Sequence, residues 1–250
     1  MAAELIENRN LRGSKYDNCD LSEVHFRNVL MFGTRITGAL LANVEIDAAL
    51  EGPVMVNGVD ITPLVRAERE RQHPELVKLR PTDADGFREG WAVVEAMWPS
   101  TIERARSLPE ERLHERVDGE WSVIENLRHL VMATDSWVKG AFLGDPSPFH
   151  PLALPFTEMG DIEGVPNDPD ARPSLDEILA VRADRFAVVR EVMEALTDEQ
   201  LAGTTTPNAE CGYPEANAYP VDRCLLAVLN EEWEHRRFIE RELNVLEARR

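Results

Sequence analysis

The chain has 250 residues, 43% hydrophobic and 29% charged, a balance that excludes a disordered acidic tail and leaves room for one or two domains with real cores. Its 46 Asp and Glu against 27 Lys and Arg give a formal net charge of -19, which disfavours general nucleic-acid binding through phosphate contacts. No apolar run approaches the roughly 20 residues needed to cross a bilayer, and the start, Met1-Ala-Ala-Glu-Leu-Ile-Glu7, lacks a basic-then-apolar export signal. We therefore expect a cytoplasmic protein with no membrane and no nucleic-acid partner. Cys19, Cys211 and Cys224 are too few and too unevenly spaced for a disulfide framework.

The first segment repeats with a period of five. Ile6, Leu11, Tyr16, Leu21, Phe26, Met31, Ile36, Leu41 and Ile46, then after a break at Glu51 Val56 and Ile61, are large apolar residues at every fifth position. Ser14, Cys19, Val24, Val29, Thr34, Ala39, Val44, Val54 and Val59, two before each from Tyr16 onward, are small or β-branched. Neither a helix nor a simple strand repeats this way. A five-residue unit turns the chain through about a right angle, so four units close a square coil that stacks on the next at about 4.8 Å. With the fragments Leu11-Arg12-Gly13, Asp20-Leu21-Ser22 and Ile36-Thr37-Gly38, this resembles the pentapeptide-repeat family, whose large and small repeat residues both point inward. The resemblance implies a short right-handed quadrilateral β-helix. About eleven units make fewer than three coils, far too short a rod to imitate a DNA duplex. We expect residues 1–64 to form a small β-helical cap.

Residues 65–83 combine a short charged stretch with Pro74 and Pro81 and read as a linker. From residue 84 to 250 the apolar spacing is helical. A first segment from Asp85 to Ser107 carries Trp91, Val94, Trp98, Ile102 and Ala105 on one stripe, with Pro99 as an expected kink. A second opens at Ser122, which with Glu125 makes a capping box, and runs to about Phe142. Ser174 and Glu177 make another such box ahead of a third, and the fourth spans Val221 to Leu246. Four segments, each with one apolar face, bury those faces together as a four-helix bundle, so the chain is expected to be mostly α. The long Pro- and Gly-rich loop from Gly144 to Pro173 reads as a cover over a site or a crossing between parallel helices.

Glu231 and His235 are four apart on the fourth segment and emerge one turn apart, within reach of a single metal ion. They interrupt the core-facing row of Leu225, Val228, Ile239 and Leu246, a placement that costs free energy unless the two are paired or metal-bound. An ordinary helical Glu–His contact uses the same spacing, so both readings stay open. Glu232 and Glu234 read as solvated. His129, seven residues after Ser122, sits beside Glu125, Asn126, Met132, Ala133 and Ser136, where periodicity equally allows a surface histidine. Trp137 and the loop around Phe149 and His150 are candidates to line a pocket, with a core role for Trp137 as the alternative. His25, His73 and His114 read as exposed. No GxGxxG or GxxxxGK[ST] is present, which argues against nucleotide chemistry.

The Trp121-Ser122 start, the histidine seven after that serine, and the Glu231-x-x-x-His235 pair in the last segment together resemble the DinB-like superfamily of four-helix metalloproteins. The resemblance covers roughly residues 85 to 248. Its members include thiol-dependent S-transferases using bacillithiol or mycothiol, and mycothiol-dependent maleylpyruvate isomerases. It implies a divalent metal held by His129, Glu231 and His235, although the common pattern has histidine where this chain has Glu231. Two imidazoles and a carboxylate suit zinc first, then nickel, manganese or iron, and the extra negative charge makes the ion a weaker Lewis acid. The implied activity is attack by an activated low-molecular-weight thiol on an electrophilic small molecule. Two alternatives are a binding protein that keeps the fold without turnover, and a metal-dependent hydrolase using Glu232 or Glu234 as proton acceptor. Bundle faces often pair, so a homodimer is plausible.

Overall fold

The computed structural model describes residues 5–6, 9–27, 29–48, 50, 52–157 and 159–249. The chain divides into two compact units, residues 1–62 and 63–250.

In the first unit the backbone turns every five residues. Gly13, Asn18, Glu23, Gly33, Gly38 and Asn43 all have positive φ, between 53° and 82°, the left-handed region that glycine and asparagine enter most readily. The amides of Ser14, Val24 and Thr34 donate back to the carbonyls of Leu11, Leu21 and Met31, closing a turn at every tenth residue. The period read from side chains is thus also a period of the backbone. The expected inward burial is not found. Leu11 is 45% exposed, Ile36 71% and Leu41 65%, and no described residue before Pro63 is buried. Turns alone bury no side chain unless successive coils stack on one another. Its strand pairing, among the described residues, is one hairpin, β1 (Met55–Val56) against β2 (Val59–Asp60). The break at Glu51 lies outside the described residues.

The second unit is helical. It contains α1 (Thr62–Gln72, entered at Pro63), α2 (Ala84–Arg106), α3 (Val123–Thr134), α4 (Leu175–Ala195), the single turn α5 (Asp198–Leu201) and α6 (Val221–Ala248). Asp83 caps α2 by accepting from the Gly86 amide at 2.7 Å. Phe87, Trp91, Val94, Trp98 and Ala105 form the buried stripe of α2, and the helix continues across Pro99. Every residue of α3 is buried, as a helix in the middle of its neighbours must be. It packs on both α4 and α6, and α2 packs on the same two helices. At Gly90 of α2 an added Cβ would meet the Lys78 carbonyl oxygen at 2.9 Å, so only glycine allows that approach. Leu76 and Leu79 also enter the core, so the segment expected to be a linker is packed at this end.

The second predicted segment is not one α-helix. After Thr134 the chain widens into a π-helix, Asp135–Phe142, whose extra residue per turn is typical of strained or functional positions. Asp135 at its start is fully buried and accepts from Arg185 Nε at 2.8 Å, Arg185 Nη2 at 3.1 Å and the His150 amide at 2.8 Å. That triple engagement holds the wide turn and the following loop to α4. No helix among the described residues is long and apolar enough to cross a membrane.

Candidate metal centre

The predicted capping box forms. Glu125 donates its amide to Ser122 Oγ at 3.2 Å, and the Ser122 amide donates to Glu125 Oε2 at 2.8 Å. With the first turn of α3 fixed, His129 stands about two turns in, its ring centroid 4.7 Å from that of His235 on α6. His235 Nε2 lies 3.0 Å from Glu231 Oε2, and His129 Nε2 lies 3.6 Å from the same oxygen. One donor atom from each of His129, Glu231 and His235 falls within 4.8 Å of the others, a cluster able to hold a metal ion. The Glu231 side chain is 36% exposed, so the cluster opens to solvent on its carboxylate side.

The far side of each imidazole decides its tautomer. His129 Nδ1 is 2.9 Å from the Leu154 carbonyl oxygen, which can only accept, so Nδ1 carries the proton. His235 Nδ1 is 2.7 Å from Asn126 Oδ1. Asn126 Nδ2 donates to the carbonyls of Trp121 at 3.0 Å and Ser122 at 2.9 Å, which identifies Oδ1 as the acceptor and Nδ1 of His235 as the donor. With both imidazoles neutral, each Nε2 therefore turns a lone pair toward one carboxylate. Three acceptors at this range repel one another unless a cation stands among them.

The charge states agree with that demand. Burial pushes the His235 imidazole below its ordinary range, more than its bond to Glu231 raises it, favouring the neutral form that binds metals. Burial alone would raise Glu231, but the hydrogen bonds and positive charge that His129 and His235 offer it when their Nε2 atoms carry protons outweigh this and hold the carboxyl well below the usual range, so the carboxylate favours a cation at this point, whether proton or metal. A carboxylate and two Nδ1–H imidazoles fit a divalent transition ion. Trp121 covers the pair, its ring 4.9 Å from His129 and 6.0 Å from His235 in a stacked orientation, and Phe238 meets His235 edge-on at 5.4 Å.

Other candidates fall elsewhere. Glu232, expected to be solvated, is 1% exposed and accepts from Arg182 at 2.8 and 3.2 Å. It points away from Glu231 because successive residues on a helix are about 100° apart, and it is committed to that ion pair rather than to proton transfer. Glu234 pairs with Arg69 at 2.7 Å. Trp137 packs edge-on against Tyr219 at 5.3 Å and Tyr213 at 6.5 Å. His150 is used within its loop, where Nδ1 accepts from the Leu152 amide at 3.1 Å. His25 is exposed as expected, whereas His73 and His114 are partly buried, the former by its edge contact with Trp233 at 5.3 Å. Burial pushes the Cys224 thiol up to about 11 and raises Cys211 as well, leaving neither a ready nucleophile.

Comparison with known proteins identifies the setting of this cluster. The family model of the DinB superfamily matches residues 94–239, more than half of the chain. The chain belongs to the DinB superfamily. No curated protein matches it, and no solved structure does. His129, Glu231 and His235 all lie within the DinB superfamily match, while the five-residue repeat lies outside it. Sequence reasoning missed the parts that orient the histidines. Asn126, four residues after the capping serine, carried a signal as a polar residue one turn before His129 on the same helix face. The Leu154 carbonyl carried none, since every residue has one.

Proposed function

We propose that this DinB superfamily member is a divalent-metal-dependent transferase that activates a low-molecular-weight thiol, of the mycothiol or bacillithiol type, for attack on an electrophilic small molecule. In this reading residues 84–250 are a four-helix bundle carrying the site, and residues 1–64 are a pentapeptide-repeat-like β-helical cap joined to it through residues 65–83. His129, Glu231 and His235 hold the ion, zinc in the first instance. When bound there, a divalent cation supplies the positive charge that keeps a thiol in its nucleophilic thiolate form at neutral pH. The chain's own contribution is orientation. Leu154 and Asn126 keep both imidazoles in the tautomer whose Nε2 is free. Glu231 brings a negative charge to the open side, and Trp121 shields the histidine rings.

The observation that carries this reading is the pair of Nε2 lone pairs turned on Glu231 with both Nδ1 atoms already engaged. Mass-spectrometric metal analysis of the purified protein tests it. A stoichiometric divalent ion is expected in the native protein and none in His235→Ala, together with turnover of an electrophile that requires added thiol. Protein that contains no such ion, and whose melting temperature is unmoved by zinc, nickel or manganese, overturns it. Thiol-independent turnover by the loaded protein assigns the site to hydrolysis instead.

A further inference from the structure

Arg128, the residue before His129, is 0% exposed. It forms no ion pair among the described residues. Instead its guanidinium is spread over three backbone carbonyls of the long loop that follows the π-helix. Nε donates to Leu152 at 2.9 Å, Nη1 to Ala171 at 3.1 Å and Nη2 to Asp168 at 2.6 Å. A buried cation whose hydrogen bonds all go to neutral carbonyls, with the Asp168 and Glu125 carboxylates only offsetting part of the burial cost through charge, is an expensive way to fill space, and an apolar side chain of similar volume avoids the desolvation. What an apolar side chain lacks is the planar fork that ties two distant stretches of one loop to a single point on a helix.

The tied stretch leads to the metal cluster. Two residues after Leu152, the Leu154 amide donates to the Arg128 carbonyl at 3.3 Å, and the Leu154 carbonyl accepts from His129 Nδ1 at 2.9 Å. Leu154 is thus gripped through its amide by residue 128 and grips residue 129 through its carbonyl. The intervening Ala153 is wholly buried. His235 needs no such device, because its partner Asn126 belongs to a helix already fixed by its cap.

We infer that Arg128 is the positioning residue for His129: by clamping the Leu152–Leu154 stretch it holds the Leu154 carbonyl where it selects the Nδ1–H tautomer, leaving Nε2 directed at Glu231. The inference rests on the metal reading for one of its two readouts only. The first readout is the tautomer of each histidine in metal-free protein, from long-range nitrogen–proton NMR of 15N-histidine-labelled chain. Wild type shows the Nδ1–H pattern at both His129 and His235. Arg128→Met averages the tautomers of His129 and leaves His235 unchanged, which also certifies that the helices are folded. The second readout is zinc affinity by competition with a chelator, which falls about 10- to 100-fold in Arg128→Met.

If His129 keeps its tautomer and zinc affinity is unchanged in Arg128→Met, the inference is overturned. Should that variant fail to fold, Arg128→Lys is read by the same criteria, since lysine keeps the charge but not the fork. Loss of the fold in both variants assigns Arg128 to the scaffold and also overturns the inference. Wild-type protein that binds no zinc yet shows the Nδ1–H pattern at His129 removes the metal reading and leaves the tautomer clamp standing.

Discussion

Nδ1 of His235 lies 2.7 Å from Oδ1 of Asn126, so the helix that carries one histidine of the cluster also orients the other. Asn126 sits three residues before His129 on α3, and its amide nitrogen is consumed by the Trp121 and Ser122 carbonyls. The asparagine cannot turn without giving up both of these bonds. Asn126→Ala is therefore expected to lower zinc affinity about 10- to 100-fold and to free the His235 tautomer, whereas Asn126→Asp, which keeps the acceptor, retains most of the affinity. Chelator competition on both variants measures this. Equal affinity in Asn126→Ala and wild type refutes the orienting role.

Glu231 is the anionic member of the cluster and its most exposed one. Glu231→Gln keeps its volume and removes its charge. The variant is expected to lose more zinc affinity than Asn126→Ala, because a proposed ligand is altered rather than its support. Glu231→His supplies a third imidazole at the same position and is expected to keep binding. Metal content after dialysis distinguishes the two. Full retention in Glu231→Gln removes the carboxylate from the proposed ligand set.

The Arg182–Glu232 pair is buried, with side chains 5% and 1% exposed, and Arg182 also lies over Trp98 at 4.5 Å and Phe186 at 5.1 Å. Removing one partner leaves the other charge stranded. Glu232→Ala is expected to destabilise the fold by about 3–5 kcal/mol, while the double change Arg182→Leu with Glu232→Leu recovers most of that. Urea unfolding of the three proteins reads the difference. A double variant as unstable as the single one shows that the pair's geometry, not its stranded charge, sets the stability.

Glu125 gives a pH dependence. Burial raises its carboxyl, but Arg116, with two 3.0 Å contacts from Nε, and the Ser122 donors outweigh that and leave it below the usual range. A carboxyl lowered on folding stabilises the folded state above its unfolded value of about 4.3, and the contribution is lost as pH falls through the folded value. Stability is expected to fall on acidification below about pH 4.3, and the share due to this residue to vanish in Glu125→Ala, which also loses the capping box at a cost of about 1 kcal/mol. Thermal melts of both proteins across the acid range test it. Parallel pH profiles remove Glu125 as a source.

The sequence makes some of this legible and hides the rest for physical reasons. Ser122–Glu125 and Ser174–Glu177 announce helix starts because a cap is a local bond between residues three apart, and both boxes form. Glu231 and His235 are readable as neighbours for the same reason. His129 is ambiguous by periodicity because α3 is buried on all sides, which erases the contrast between an inner and an outer face. Glu232 misleads because its partner Arg182 is fifty residues away, and a run such as Glu231-Glu-Trp-Glu-His235 looks equally solvated throughout. The π-helix escapes detection since its apolar pattern still fits an α-helix over one or two turns. In the repeat, the period of five correctly anticipates the backbone turns, but burial depends on stacked layers that a short segment does not supply.

Trp121, lying against both imidazoles, gives the molecule a built-in optical gauge. An indole in that position feels any change of charge among the rings beneath it, and a paramagnetic ion seated there quenches its emission. Occupancy of the cluster can therefore be followed by light on unlabelled protein, with Trp121→Phe as the blank that subtracts the remaining indoles.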